Sequence, residues 1–259
     1  MFVTLHLSIL SVFWIEPTVL SLCLCGALYF VRMFGVTAGY HRLLSHRSYE
    51  CPRFVQFLLA CLGCSAMQNG PLWWADQHRD HHKYSDREMD PHSPVIGGFF
   101  WAHIGWLFVK SPAKDASGVR DLEKFPELRW LDRLNLVPGL CVLGFCFLLD
   151  GLAGIVWGFM LSTILLYHGT FLVNSVCHVF GKRRFATDDQ SKDNGFVAIL
   201  TLGEGWHNCH HARQARARHG IYWWQLDPTY WVLCLLSLLK LVRGLFKPAP
   251  ETIDAVKAT

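Results

Sequence analysis

The sequence predicts an all-α integral membrane protein, with four transmembrane helices in two hairpins and a helical cap on the cytosolic side. Three observations predict it. Apolar residues make up 52% of the 259 residues and charged residues only 17%, unusual for a soluble domain. The apolar residues are clumped: no Lys or Arg precedes Arg32, and none falls between Asn135 and Cys177. The remaining basic residues lie in two long polar stretches, 38–133 and 178–259, as in a membrane protein with one wet, basic face.

A spanning helix needs about 20 apolar residues. Met1–Ile15 is apolar but short and spans only where the bilayer thins. Glu16-Pro17 forms a tight turn, and Thr18–Thr37 supplies a full span with Arg32 near its wet end. Phe54–Met67 runs straight into Gln68-Asn69-Gly70-Pro71, too short to cross, and is expected to lie partly sunk along the wet interface. Leu134–Leu149 and Leu152–Cys177 form the second hairpin around Asp150-Gly151. Neither turn carries a basic residue, as expected on the translocated side. Thr229–Phe246 reads as a second interfacial helix and the tail from Lys247 as loose. The chain thus divides into hairpins 1–37 and 134–177 and cytosolic segments 38–133 and 178–259, one integrated catalytic domain.

Composition also excludes. A net charge of +4 suits anionic lipid headgroups, but no basic cluster carries a nucleic-acid module. Cys61 and Cys64 form a CxxC without the second pair that a zinc site needs. The ten cysteines read as buried free thiols. The N-terminus lacks the basic region of a cleaved signal peptide.

Fourteen histidines carry the chemistry. His41 and His46 form an HxxxxH after the second span; His78, His81 and His82 form an HxxHH; His207, His210 and His211 form another. Residues i, i+3 and i+4 share a helix face, so each HxxHH is expected to aim three imidazoles at one spot. The HxxxxH pair stands about 140° apart on a regular helix and is expected to reach two different ions. Eight imidazoles suit two metals, each with an open position. His6, His92, His103, His168 and His219 read as ordinary polar residues. No HExxH protease signature occurs, and Glu204-Gly205-Trp206-His207 is the single Glu-x-x-His, against the paired motifs of carboxylate di-iron bundles. A nitrogen-rich di-metal site in a membrane points to iron and oxygen activation, because an unactivated C–H bond needs a cofactor-borne oxidant. Asp80, Asp86 and Asp90 are candidates to orient the ligands.

At these residues the sequence resembles the membrane stearoyl-type (Δ9) fatty acid desaturases. The resemblance runs from Thr37 to about Trp224 and includes TAGYHRLLSHRSY (37–49), QNGPLWW (68–74), HRDHHKYSD (78–86), DPHSP (90–94), HIGW (103–106), LVNSVCHVFG (172–181) and GEGWHNCHH (203–211). It implies nine histidine ligands to two iron ions, adding His178 to the eight, with Asn174 completing one iron shell through water. It implies O2 as co-substrate and an acyl tunnel whose bend is lined by Gln68, Trp74 and Thr170. Asn69 matches a carrier contact. Where acyl-CoA enzymes of the family read Trp-Ala-Arg-Asp, this chain has Trp74-Ala75-Asp76-Gln77, and the basic pair after HIGW is reduced to Val109-Lys110. Long-chain acyl-CoA is therefore the expected substrate, with acyl-phospholipid or acyl carrier protein left open.

Tyr29 lies twelve residues before His41, about 18 Å along a helix, and is expected to cap the tunnel. No redox module is fused, so a separate electron donor of ferredoxin, rubredoxin or cytochrome b5 type is expected. A related di-iron hydroxylase or alkane monooxygenase is the main alternative, and a non-enzymatic metal transporter or scaffold the second. The expected location is a bacterial inner membrane, otherwise the endoplasmic reticulum, with the catalytic face in the cytosol.

Overall fold

A computed structural model describes residues 2–109 and 116–245. Lys110 and the tail from Lys247 lie outside the described residues. The described chain is helical with no strands, only isolated bridges such as Glu50 to Arg243 and Lys182 to Asp193.

The first hairpin begins with α1 (Phe2–Ser8) and a 3-10 turn (Ile9–Phe13). After Glu16-Pro17, Thr18 caps α2 (Val19–Phe34) in a reciprocal pair: its side chain accepts from Ser21 N–H, and Ser21 Oγ accepts from Thr18 N–H. This satisfies two N–H groups at the helix start. The helix then does not stop near Thr37. It continues as a π-helix (Gly35–Ser45) that carries His41, so that 27 residues form one apolar rod. Arg32 consequently sits in mid-helix and is fully buried, not near a wet end. Its guanidinium donates to Thr163 Oγ1 (2.7 Å), Ser162 Oγ (2.5 Å) and Ser65 O (3.3 Å) and lies over the Phe159 ring.

α3 (Arg53–Ser65) packs against the π-helix. Glycines permit the approach: a Cβ on Gly39 would stand 2.7 Å from Leu59 O, and one on Gly63 would stand 2.5 Å from the Tyr40 ring. α4 (Pro71–Tyr84) carries the first HxxHH. Asp132 Oδ1 accepts from Leu72 and Trp73 N–H at its start. Near its middle, Arg79 donates to Leu44 O and Ser45 O, the free carbonyls that end the π-helix. Short helices α5 (Pro94–Gly97) and α6 (Phe99–His103) follow, then α7 (Pro126–Arg133).

Helical residues continue from Leu136 to Val179, but Asp150 (φ −149°, ψ 26°) and Gly151 (φ 54°, ψ −135°) break them into two arms at the expected turn. The positive φ at Gly151 suits glycine. The first arm is α8 (Leu136–Ala153, counted through the break). The second is a π-helix (Gly154–Leu161) continued by α9 (Ser162–Val179). The two turns meet: Thr18 Oγ1 donates to Asp150, and Trp157 Nε1 donates to Ile15 O (2.7 Å).

Two helices, Val19–Ser45 and Leu136–Val179, are long and apolar enough to cross a membrane. Only 33% and 22% of their apolar windows are buried inside the protein, so most of this apolar surface faces outward. α10 (Gly195–Leu200), α11 (His207–Ala212) and α12 (Pro228–Leu238) are the last helices among the described residues. All ten cysteines are free, though Cys23 and Cys141 are exposed, not buried, because they lie on the outward apolar faces of α2 and α8.

Candidate metal centre

The π-helix, α4, the end of α9 and α11 bring the three histidine boxes and His178 together. They form two groups. His41, His46, His78, His82 and His210 make one; His81, His178, His207 and His211 make the other. The boxes are therefore shared, not assigned one to each ion. In each HxxHH the i and i+4 residues enter one group and the i+3 residue enters the other. The two groups lie side by side across each short helix, so neighbouring directions on one face diverge.

The HxxxxH also behaves differently from a regular helix. His46 N–H donates to His41 O (3.1 Å), an i→i+5 bond. Such π-type bonds stack residues five apart, so both imidazoles reach the same group instead of two ions. Their ring centroids are 4.8 Å apart.

The donor set fits metals. Four imidazoles give Nδ1–H to buried carboxylates: His41 to Glu204 (2.5 Å), His81 to Asp90 (3.0 Å), His178 to Asp86 (2.9 Å) and His211 to Asp189 (2.6 Å). This arrangement fixes the tautomer and turns the Nε2 lone pair inward. Inside the groups Nε2 atoms then face one another: His41 and His210 at 3.1 Å, His46 and His78 at 2.8 Å, His82 and His210 at 3.0 Å, His178 and His207 at 3.1 Å. Two nitrogens about 2.1 Å from one ion and at right angles stand roughly 3.0 Å apart. His211 Nε2 is buried with no hydrogen-bond partner although its Nδ1 is held by Asp189.

Electrostatics favour the neutral, ligating form. Burial, reinforced by neighbouring imidazoles, holds His46, His78, His82, His207 and His210 well below the usual histidine pKa. Burial also lowers His211 to about 4, against the pull of Asp189. Burial raises the Glu204 carboxyl, but His219, His41 and Arg42 outweigh it and hold the group well below its ordinary value.

Of the three expected orienting carboxylates, Asp86 and Asp90 contact imidazoles. Glu204 and Asp189 were not singled out, because only the fold brings Asp189 to His211 and turns Glu204 toward His41. His219, read as ordinary, is 1% exposed and shares Glu204 Oε2 with His41 (3.2 Å). The His92 ring lies tilted against His81, centroids 4.4 Å apart.

A cavity of about 320 Å³ opens beside both groups. His41, His78, His81, His207, Glu204 and Asn174 line one part, and Phe2, Met33, Val36, Met67, Tyr167 and Phe171 line an apolar part. Gln68, Asn69, Trp73, Trp74 and Thr170 line it too. Gln68 Nε2 donates to Thr170 Oγ1 (2.7 Å), and Trp74 Nε1 donates to Gln68 Oε1 (3.4 Å). Tyr29 is not among the lining residues. Its hydroxyl is drawn away to Leu200 O (2.8 Å), and Met33, one turn further along α2, forms the wall instead.

Comparisons with known proteins agree with this geometry. The sequence model of the fatty acid desaturase family matches residues 17–234. An acyl-CoA C20 Delta5-desaturase of Anemone leveillei is 43% identical over 234 residues, 88% of this chain and 75% of the relative. An sn-1 stearoyl-lipid 9-desaturase of Anabaena variabilis is 40% identical over 216 residues, 81% of this chain and 78% of the relative. A chloroplastic palmitoyl-monogalactosyldiacylglycerol delta-7 desaturase of Arabidopsis thaliana is 39% identical over 221 residues, 84% of this chain and 59% of the relative. Each is a desaturase, which favours that reading over the hydroxylase alternative. The chain belongs to the fatty acid desaturase family, oxidoreductases that act on acyl chains.

Proposed function

We propose that the chain inserts a cis double bond, at the Δ9 position, into a saturated long-chain acyl group carried as acyl-CoA. Relatives named for both acyl-CoA and acyl-lipid substrates make the acyl-lipid form the alternative carrier. The observation that carries the reading is the gathering of nine imidazoles, in two groups, at the side of a largely apolar cavity.

In this reading His41, His46, His78, His82 and His210 hold one iron ion. His81, His178, His207 and His211, with Asn174 through a water, hold the second. When bound, the iron pair supplies the dioxygen-derived oxidant that an unactivated C–H bond requires. The chain's own residues do the rest. Glu204, Asp86, Asp90 and Asp189 orient the imidazoles. The hydrogen-bonded set Gln68, Thr170 and Trp74 forms the bend, so that only two neighbouring carbons come within reach. Asn69 faces the carrier, and Met33 and Tyr167, backed by Tyr29, limit the depth of the apolar end. Phe2 and Phe171 help exclude water.

The same reading has the chain cross the membrane four times, with the histidine face in the cytosol. The contact between the two hairpin turns, on helix ends remote from the histidines, supports it. So does the outward apolar surface of both long helices.

Expression in a host lacking its own desaturase, followed by mass spectrometry with double-bond localisation, tests the function. New cis Δ9 monoenes are expected, and H81A/H82A abolishes them. Alcohols instead of alkenes, or no product from iron-loaded protein supplied with reductant, overturn the reading.

A further inference from the structure

This inference rests on the desaturase reading and concerns how electrons arrive. Removing two hydrogens from –CH2–CH2– releases two electrons and two protons. Reducing O2 to two waters consumes four of each. Two electrons must therefore come from a reductant other than the acyl group, and two protons from water.

A line of touching rings leads from the surface to the second histidine group. Trp224 is 42% exposed. Its ring meets Trp206 edge-on at 5.7 Å. Trp206 is 6% exposed and is bonded through the chain to His207. Tyr222 stacks on Trp224 at 5.7 Å, and Trp223 stands 89% exposed between them.

Basic groups surround this line. The Arg184 guanidinium lies over both Tyr222 (5.2 Å) and Trp224 (4.9 Å). Lys182 and Arg183 beside it are exposed. Arg213 covers Phe185, which packs in the same apolar cluster as Trp206. Arg218 donates to Tyr222 O. Arg216 is only 4% exposed, yet its Nε and Nη2 have no hydrogen-bond partner. The acidic residues of the neighbouring loop offset this charge at Arg184 and leave Lys182 and Arg183 as the exposed charge of the face. Asp189 is held by His211, Asp193 pairs with Arg184 (3.0 Å), and Asp188 points away to Arg87 (4.0 Å).

We propose that this basic, aromatic face docks the electron donor, a small one-electron carrier with an acidic surface of the kind a [2Fe–2S] ferredoxin has, and that electrons enter through Trp224 and Trp206 toward His207. Each docking oxidises the donor by one electron and reduces the enzyme by one, so two dockings serve one double bond. Opposite charge around the entry point steers the encounter and sets its orientation. A lipid surface also takes up Trp and Arg. The ring line ending at a metal ligand favours a redox protein.

The test uses the full chain in neutral phosphatidylcholine nanodiscs, with an acidic [2Fe–2S] ferredoxin as the probe. Ferredoxin binding is measured on metal-free protein across a salt series. K182E/R183E is expected to weaken it about tenfold and to flatten its salt dependence. In iron-loaded protein at saturating ferredoxin, W224L is expected to lower the ferredoxin-driven rate relative to the dithionite-driven rate. Absent ferredoxin binding, or equal affinity for wild type and K182E/R183E, overturns the proposal. So does a loss confined to binding of phosphatidylglycerol vesicles, which marks a lipid contact. Dithionite-driven desaturation by the wild type separates the two failures: if it persists, docking alone is wrong, and if it is absent, the function is.

Discussion

Replacing Glu204 with Gln keeps the shape of one side chain and removes its charge. Glu204 is 7% exposed. One oxygen takes His41 Nδ1–H (2.5 Å) and His219 Nδ1–H (3.2 Å); the other takes Arg42 Nη2 (2.9 Å) and Nε (3.2 Å). Arg42 is fully buried and keeps Asp227 at 3.0 Å and Ala217 O at 2.6 Å. Removing one member of a buried ion pair costs about 3–5 kcal/mol. Because Asp227 remains, the expected loss lies at the lower end, about 3 kcal/mol. The second effect is on metal affinity. Losing the carboxylate behind a ligating imidazole weakens binding roughly 10–100-fold, or about 1.4–2.8 kcal/mol. That loss is confined to the group containing His41, because His81, His178 and His211 rest on carboxylates of their own. Anaerobic iron titration with metal analysis reads it directly. At limiting free iron, E204Q is expected to hold one ion where the wild type holds two, and its metal-free form melts at a lower temperature. Two ions held as tightly as in the wild type, with unchanged melting, would refute the reasoning.

Acid should act through the buried imidazoles, among them His211, whose folded pKa of about 4 lies below the ordinary 6.5. Stability from this group is present above pH 6.5 and is lost as pH falls through 4, by about 3 kcal/mol in full; urea melts of metal-free protein at several pH values measure it, and a flat profile would contradict it. G63A forces a methyl group to 2.5 Å from the Tyr40 ring and is expected to cost about 1–3 kcal/mol, read as a lower melting temperature. M33A removes part of the cavity wall and is expected to shift products toward longer acyl chains; an unchanged chain-length profile in gas chromatography would remove Met33 from that role.

The helical fold was legible because burial in lipid leaves a coarse signature, long apolar runs free of Lys and Arg. The Asp150-Gly151 turn was legible for the same reason. What sequence reasoning missed depends on finer geometry. A regular 3.6-residue helix separates His41 from His46, and nothing in GVTAGYHRLLS announces the π-helix that reunites them. The same irregularity lengthens the helix past Thr37 and leaves Arg32 in its middle. The HxxHH spacing shows that three imidazoles share a face but not that they divide between two histidine groups. Glu204 and Asp189 were invisible as partners because their contacts are made by folding: Glu204 lies 163 positions after His41, and Asp189 lies 22 before His211 in an irregular loop. A buried acid three residues before a histidine box was the one available clue, and it points to Glu204.

Arg32 has a mechanical consequence. Deep among apolar helices it finds no carboxylate, but the hydroxyls of Ser162 and Thr163, the carbonyls of Ser65 and Leu28, and the face of the Phe159 ring. An ion so placed resists any sliding of α2 along α9, because each step would strip it of partners that lipid cannot replace. His41 rides at the far end of one rod and His178 at the end of the other. A slip of one residue would offset them by about 1.5 Å, comparable to the step between adjacent carbons of an acyl chain. Under the proposed function, the pin that aligns the rods would thus also keep the ruler that counts carbons from drifting.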